Sequence, residues 1–289
     1  MPLYRDEGVV LRTAKLGEAD RIIWLFTRAH GKVRAVAKGV RRTRSRFGAR
    51  LEPFMRADVL INTGRSLDVV SQAATIAAYA APLAADYAAY AAANVIAETA
   101  DRIVSTEREP APDQYRLLVA ALAALARGVH RPDAVGASYV LRALALAGWR
   151  PRLDACVVCG EPAAGDGGVA RSLYCSVPAG GVMCEADHTP ESRRLLGPSG
   201  VASGAAFGVA SGASGGVSGG ASGGGAEAVD GASGVARGSG TLRQLQALLD
   251  GDWTLLDGEP LGAQTEHIVA DWGAYYLERP IRSLRLLDS

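Results

Sequence analysis

Near Thr75 the hydrophobic pattern of the chain changes period, and that break restricts it to an α+β fold with the strands in front. From Gly8 to about Ala73 the apolar residues come in short runs: Val9-Val10-Leu11, Ile22 to Phe26, Val33 to Ala37, Val59-Leu60-Ile61 and Leu67 to Val70. Turn signals at Leu16-Gly17-Glu18, His30-Gly31 and Asn62-Thr63-Gly64 separate them. Five strands in so short a span hide their edges best by closing on themselves, so a small barrel such as the OB-fold is expected. Beyond Thr75, alanine-rich segments with helical spacing take over at Ala84 to Ser105, Asp113 to Gly128 and Ala134 to Ala147. Prolines 82, 110, 112 and 132 and Gly128 fall between them as stops. Tyr87, Tyr90, Val95, Ile96 and Ile103 recur near one face, which favours a bundle over low-complexity sequence.

From Gly197 to Gly240 almost every residue is Gly, Ala, Ser or Val, a composition with too little side chain to offset the entropy of ordering it. Helical patterning returns at Leu242 to Leu249 and at Gln264 to Leu277, where Trp253, Trp272, Tyr275 and Tyr276 offer surface for docking. The expected division is a barrel at 1–78, a helical domain at 79–150, a cysteine module at 151–195, a flexible insertion at 196–240, and C-terminal helices at 241–289 that pack back onto the helical domain.

The formal net charge of +1 hides an uneven distribution. Residues 1–80 hold 15 Lys/Arg against 7 Asp/Glu, so the front is basic and the remainder acidic. Between Asp20 and Glu52 there is no acidic residue, while Arg21, Arg28, Lys32, Arg34, Lys38, Arg41, Arg42, Arg44, Arg46 and Arg50 are all basic. A solvated loop would explain some of these charges. So dense a cluster without acids fits a phosphate backbone better, because each neutralised phosphate releases condensed counterions. OB-folds that grip single strands add stacking aromatics. The candidates are Trp24, Phe26, Phe47 and Phe54; for each taken alone core packing is the commoner role, and Phe47, inside the basic loop, is the leading stacking candidate.

No segment is apolar for long enough to span a membrane, and residues 1–20 lack the apolar run of a signal peptide, so a cytoplasmic location is expected. In a reducing compartment four cysteines point to a metal rather than to disulfides. Cys156-x-x-Cys159 followed by Cys175 and Cys184 supplies four soft ligands for a structural Zn²⁺.

The spaced set Gly17-Glu18-Ala19-Asp20-Arg21-Ile22-Ile23, Thr27, Gly31, Val36-Ala37-Lys38-Gly39-Val40-Arg41-Arg42, Ser45 and Leu51-Glu52-Pro53-Phe54 resembles the N-terminal pattern of the bacterial RecO family. Further on, Leu141-Arg142-Ala143-Leu144, Ala147-Gly148-Trp149, Pro151, Leu153, Cys156, Cys159 and Gly160 look like that family's junction between helical bundle and zinc module, and Arg282-Ser283-Leu284 like its closing motif. Only Gly197 to Gly240 lacks a counterpart in that pattern. The resemblance implies an OB-fold barrel, a helical domain and a structural zinc. It also implies binding of single- and double-stranded DNA, annealing of complementary strands, and partnership with RecR in loading RecA onto DNA covered by single-strand-binding protein, whose C-terminal tail would dock on the helical domain. A nucleoid-associated protein follows from the same likeness. The expected DNA contacts are Arg21, Lys32, Arg34, Lys38, Arg41, Arg42, Arg44, Arg46, Phe47, Arg50 and Arg282. The family closes its zinc site with a second C-x-x-C, but here Asp187 stands where the last cysteine would fall, with His188 beside it. The expected set is Cys156, Cys159, Cys184 and, as fourth, Cys175, with Asp187 and His188 as alternatives.

An enzyme is not expected: there is no H-E-x-x-H, no deaminase signature, no P-loop, and four histidines in the whole chain. An OB-fold RNA-binding protein with a structural zinc is the other reading that the basic barrel permits.

Overall fold

Alternation of side chains along β1 (Leu3–Leu16), β2 (Asp20–Thr27), β3 (Gly31–Ala37), β4 (Met55–Asn62) and β5 (Asp68–Ala78) gives the front of the molecule an apolar inside. The computed structural model describes residues 2–163, 173–195, 240–278 and 280–286; the glycine-rich stretch at 196–239 lies outside them. The five strands close in the order β1-β2-β3-β5-β4. β1 pairs with both β2 and β4, which it manages by bending at a bulge between Val10 and Arg12. Closure depends on a short parallel contact in which Ala35 and Val36 face Asp68 and Val69. Val10, Ile23, Leu25, Val33, Ala35, Val59, Ile61 and Val70 fill the interior. Phe47 and Leu51, from the β3–β4 loop, plug its end.

The outward residues Val9, Leu11, Phe26 and Phe54 are buried as well, because the helices lie on them. α1 (Ala80–Ala84) leads into α2 (Tyr87–Ile103), capped by the Asp86 carboxylate, which accepts from the amides of Ala88 and Ala89. α3 (Pro112–Arg127) and α4 (Pro132–Leu146) both begin on proline, whose missing N–H costs nothing in a first turn. Gly128, at φ 61°, ends α3 in the left-handed conformation. Phe26 meets Tyr115 of α3 edge to face at 5.7 Å, so barrel and bundle share one core.

β6 (Leu173–Ser176), β7 (Gly181–Cys184) and β8 (Arg193–Arg194) make a small sheet in the order β7-β6-β8. α5 (Thr241–Asp250), α6 (Trp253–Gly258) and α7 (Ala263–Tyr276) return to the bundle, where Leu245, Leu248, Ile268 and Trp272 pack against Val140, Leu141 and Leu144 of α4. A 3₁₀ turn (Arg282–Leu286) then settles on α2 through Glu98, which accepts from the amide and hydroxyl of Ser283. No described helix is long and apolar enough to cross a membrane.

Candidate nucleic-acid interface and metal centre

The basic stretch splits into two groups with different surroundings. Arg28, Lys32 and Arg34 lie on the barrel wall and are held by carboxylates: Arg28 by Glu7 at 3.5 Å, Lys32 by Asp101 at 2.8 Å and Arg34 by Glu107 at 3.3 Å. Asp101, on α2, also binds Arg12 at 2.7 Å, and Arg12 lies over the Trp24 ring at 3.7 Å. Asp101 and Glu107, beyond the barrel, thus neutralise Lys32 and Arg34 of β3, while Arg28 is held by Glu7 of β1; Lys32, only 8% exposed, is part of the joint between barrel and bundle. Its expected place among DNA contacts is corrected by this burial.

Lys38, Arg41, Arg42, Arg44, Arg46 and Arg50 form the second group, all exposed on the β3–β4 loop at one end of the barrel. Lys38, Arg42, Arg44 and Arg46 make no ion pair with a described residue. Arg41 donates to the carbonyls of Gly17 and Glu18, which ties the loop to the β1–β2 turn. Arg50 donates to the carbonyls of Arg46 and Phe47, while the Asp20 carboxylate accepts from the amide of Gly39. These contacts fix the loop and leave its guanidinium groups without counterions. Arg21 is half-buried and paired with Glu52 at 2.6 Å, beside exposed Lys15 in the next strand.

Phe47 is not available for stacking. It is 1% exposed, packed in the barrel's apolar cluster with Leu51, Val59 and Val70. Phe26 and Phe54 are covered by helices and Trp24 by Arg12. Arg282 lies away from the loop, on α2, where its amide donates to Glu98 at 3.1 Å while its side chain is exposed.

Asp101 gives this joint a pH dependence. Burial alone would raise its pKa, but hydrogen bonds from Lys32 and Arg12 outweigh that and hold it below the usual carboxylate range. A depressed folded-state pKa stabilises above the unfolded value, roughly pH 4, and the contribution is lost as pH falls through the folded value. Asp101→Asn is expected to cost about 1–3 kcal/mol at neutral pH, by leaving Lys32 without its ion pair, and to flatten the decline of stability below about pH 4. Denaturant titration at several pH values measures both effects; an unchanged acid limb would refute the assignment.

The cysteine module offers a donor cluster of Cys156, Cys159, Cys184 and Asp187, whose ligand atoms all lie within 4.8 Å of one another. The two thiols of Cys159 and Cys184 are 3.8 Å apart. Cys156 and Cys159 sit in a tight turn closed by the Gly160 amide on the Cys156 carbonyl, and Cys184 ends β7. Gly181 has no room for a side chain: a Cβ there would meet the Arg152 carbonyl at 2.2 Å. Hydrogen bonds from the three thiols hold the Asp187 carboxylate below its usual range. Cys175 does not join them. It faces inward from β6 into the helical core, where burial pushes its thiol up to about 12. The fourth place therefore goes to Asp187, three residues beyond Cys184 and within 3.2 Å of its thiol, a correction with a packing reason: Cys175 lies opposite Val182 in the middle of the sheet and is taken up by the helical core, while Cys184 stands at the end of β7. His188 stacks on Tyr174 instead.

A groove of about 810 Å³ lies among α3, α4 and the α5–α6 corner. Leu117, Ala121 and Trp253 line it and Arg116 and Arg142 flank it, while the buried Tyr139 hydroxyl has no hydrogen-bond partner among the described residues.

Comparison with known proteins agrees with this architecture. The family model described as "Recombination protein O N terminal" matches residues 1–79, and "Recombination protein O C terminal" matches residues 84–199. "DNA repair protein RecO" of Bifidobacterium longum (strain DJO10A) is 57% identical over 289 residues, covering all of both chains. The protein of that name from Bifidobacterium adolescentis is 58% identical over 292 residues, again with full coverage, and that of Thermobifida fusca is 42% identical over all of this chain and 99% of its own. These alignments run through the glycine-rich region that falls outside the general family pattern. The chain belongs to the RecO family of DNA repair proteins, with the role in recombinational repair that this membership carries.

Proposed function

We propose that this chain is a non-enzymatic recombination mediator that binds DNA by the end of an OB-fold-like barrel and anneals complementary single strands. The observation that carries the reading is the β3–β4 loop, where Lys38, Arg42, Arg44 and Arg46 are exposed and form no ion pair with a described residue. Cations of this kind lower the repulsion between two phosphate backbones and so favour their approach, with no dependence on base sequence. Partnership with RecR and loading of RecA onto DNA coated by single-strand-binding protein belong to the same reading. The groove beside Tyr139, lined by Leu117, Ala121 and Trp253 and flanked by Arg116 and Arg142, is the place this reading gives to the C-terminal tail of the single-strand-binding protein.

The metal is read as Zn²⁺. A tetrahedron with Zn–S bonds of about 2.3 Å has S···S edges of about 3.8 Å. The Cys159–Cys184 separation of 3.8 Å matches that edge, and three thiols with one carboxylate are a donor set zinc accepts. Bound there, the ion would cross-link the Cys156 turn to the end of β7. With four protein donors it leaves no position for a catalytic water, which supports a structural role and a protein that is not an enzyme. The domain division and the cytoplasmic, nucleoid-associated location stand as part of the same proposal.

The test is annealing of complementary DNA oligonucleotides without nucleotide cofactor. The expected result is acceleration over the spontaneous rate that fades steeply between about 50 and 200 mM salt. No acceleration would overturn the annealing role, and a tenfold preference for RNA over DNA, about 1.4 kcal/mol, would move the assignment to an RNA-binding protein.

A further inference from the structure

Single-stranded DNA exposes bases as well as phosphates, and the described aromatics of the barrel are already engaged, Tyr4 with the His30 ring at 4.4 Å and with Asp68. Phe26, Phe47 and Phe54 are 0%, 1% and 4% exposed, and the ring of Trp24 is covered by Arg12. The first turns of α2 differ: Tyr87 is 60% and Tyr90 43% exposed.

The placement of α2 puts these rings beside the basic loop. Tyr87, Tyr90, Asn94, Glu98 and Asp101 recur at helical spacing and form one stripe along α2. The far end of the stripe is anchored on the barrel, where Asp101 holds Arg12 and Lys32. Nearer its start, Tyr90 meets Phe54 edge to face at 5.8 Å. Phe54 follows the basic loop directly, four residues after Arg50, and takes a left-handed backbone at φ 68° that is uncommon for a bulky residue. Four residues span at most about 14 Å, so Tyr90, in contact with Phe54, stands near the end of the basic loop that Arg50 marks. On the same stripe Glu98 holds the amide of Arg282, whose side chain is exposed; eight residues of helix, about 12 Å, separate it from Tyr90. A cationic loop, two exposed aromatic rings and a second cation thus follow one another along a single edge of the molecule.

We infer that Tyr87 and Tyr90 form a base-stacking platform for single-stranded DNA leaving the β3–β4 loop, with Arg282 as the next phosphate contact. The inference rests on the proposed reading of the loop as the backbone-binding site. It assigns the base contacts to the helical domain rather than to the barrel, and it makes the protein favour unstacked strands over duplex, since only a single strand can lay its bases on the rings.

The test uses full-length protein, a fluorescent thymidine oligonucleotide, and an abasic oligonucleotide of equal length and charge. The double variant Tyr87→Ala, Tyr90→Ala is expected to bind the thymidine strand at least about tenfold more weakly, given the measured range of base–aromatic stacking, and the abasic strand as the parent does. Tyr87→Phe, Tyr90→Phe keeps the rings and should bind both strands normally, which also separates stacking from any loss of fold. Equal binding of the thymidine strand by the alanine variant and the parent would overturn the inference while leaving the loop's role intact. Equal losses on both oligonucleotides, with a normal melting transition, would overturn it too. If instead Lys38→Ala, Arg42→Ala, Arg44→Ala leaves binding to the abasic strand unchanged, the backbone site itself has been misplaced and both readings fall.

Discussion

Replacing Lys38, Arg41, Arg42 and Arg44 together with alanine is expected to weaken single-stranded DNA binding by about two orders of magnitude at low salt, whatever the base sequence. The four side chains are exposed at one end of the barrel, and none pairs with a described carboxylate. Each phosphate contact on a single strand adds about 0.7 to the slope of log affinity against log salt, so losing four should flatten it by about 3. The change in slope is the more diagnostic result, because a misfolded protein would lose affinity without a defined slope. The fold should tolerate the change. Only Arg41 has structural hydrogen bonds, to the Gly17 and Glu18 carbonyls, and the plug residues Phe47 and Leu51 are untouched. Anisotropy titrations across a salt series, with a thermal melt as control, decide it; affinity and slope both like those of the parent would refute the site.

The second large effect concerns the metal. Purified protein is expected to carry one zinc per chain, and Cys156→Ser to lose it together with several kcal/mol of stability, since structural zinc sites in peptides contribute on the order of 10 kcal/mol. Cys156 is buried and its module shares the helical core through Leu153, Ala163 and Val182, so a loosened turn exposes apolar surface beyond the site itself. Two further variants separate the ligand sets. Asp187→Ala should also release the metal, whereas Cys175→Ala should retain it and cost about 1 kcal/mol for a small buried side chain. Asp187→Cys should hold zinc more tightly against a chelator, because it restores a fourth thiolate. Metal analysis and chelator competition measure these outcomes, and metal lost from Cys175→Ala but kept by Asp187→Ala would reverse the assignment.

Much of this molecule can be read before any coordinates are seen. The β-rich runs at 9–11, 22–26, 33–37, 59–61 and 67–70 lie within or overlap the five strands, and the alanine-rich segments coincide with α2, α3 and α4. The signals were strong because each is local: β-branched residues bounded by Gly17 and Gly31 admit few other conformations, and Pro112, Gly128 and Pro132 mark helix ends for covalent reasons. The absence of acids between Asp20 and Glu52 is likewise visible in sequence order alone.

What spacing did not convey was how side chains are shared between elements. Phe47 sits among arginines in the chain, yet in space it closes the barrel. Lys32 and Arg34 belong to the same basic run as Arg42 and Arg44, but Asp101 and Glu107, about 70 residues away, neutralise them. Cys175 matched a zinc pattern by count, while packing against the helices took it into the core and the turn after β7 brought Asp187 to the other thiols. A signal for Asp187 was present, in its position where the family pattern places a cysteine, but residue chemistry outweighed it.

Local sequence therefore determined the elements, their ends and the sign of the charge, since backbone preference and hydrophobic period act over a few residues. Tertiary structure alone decided which cations stay free, which aromatics face solvent and which donors meet. Those outcomes depend on desolvation and on pairing between groups far apart in the chain, and they are settled only when the helices close over the barrel.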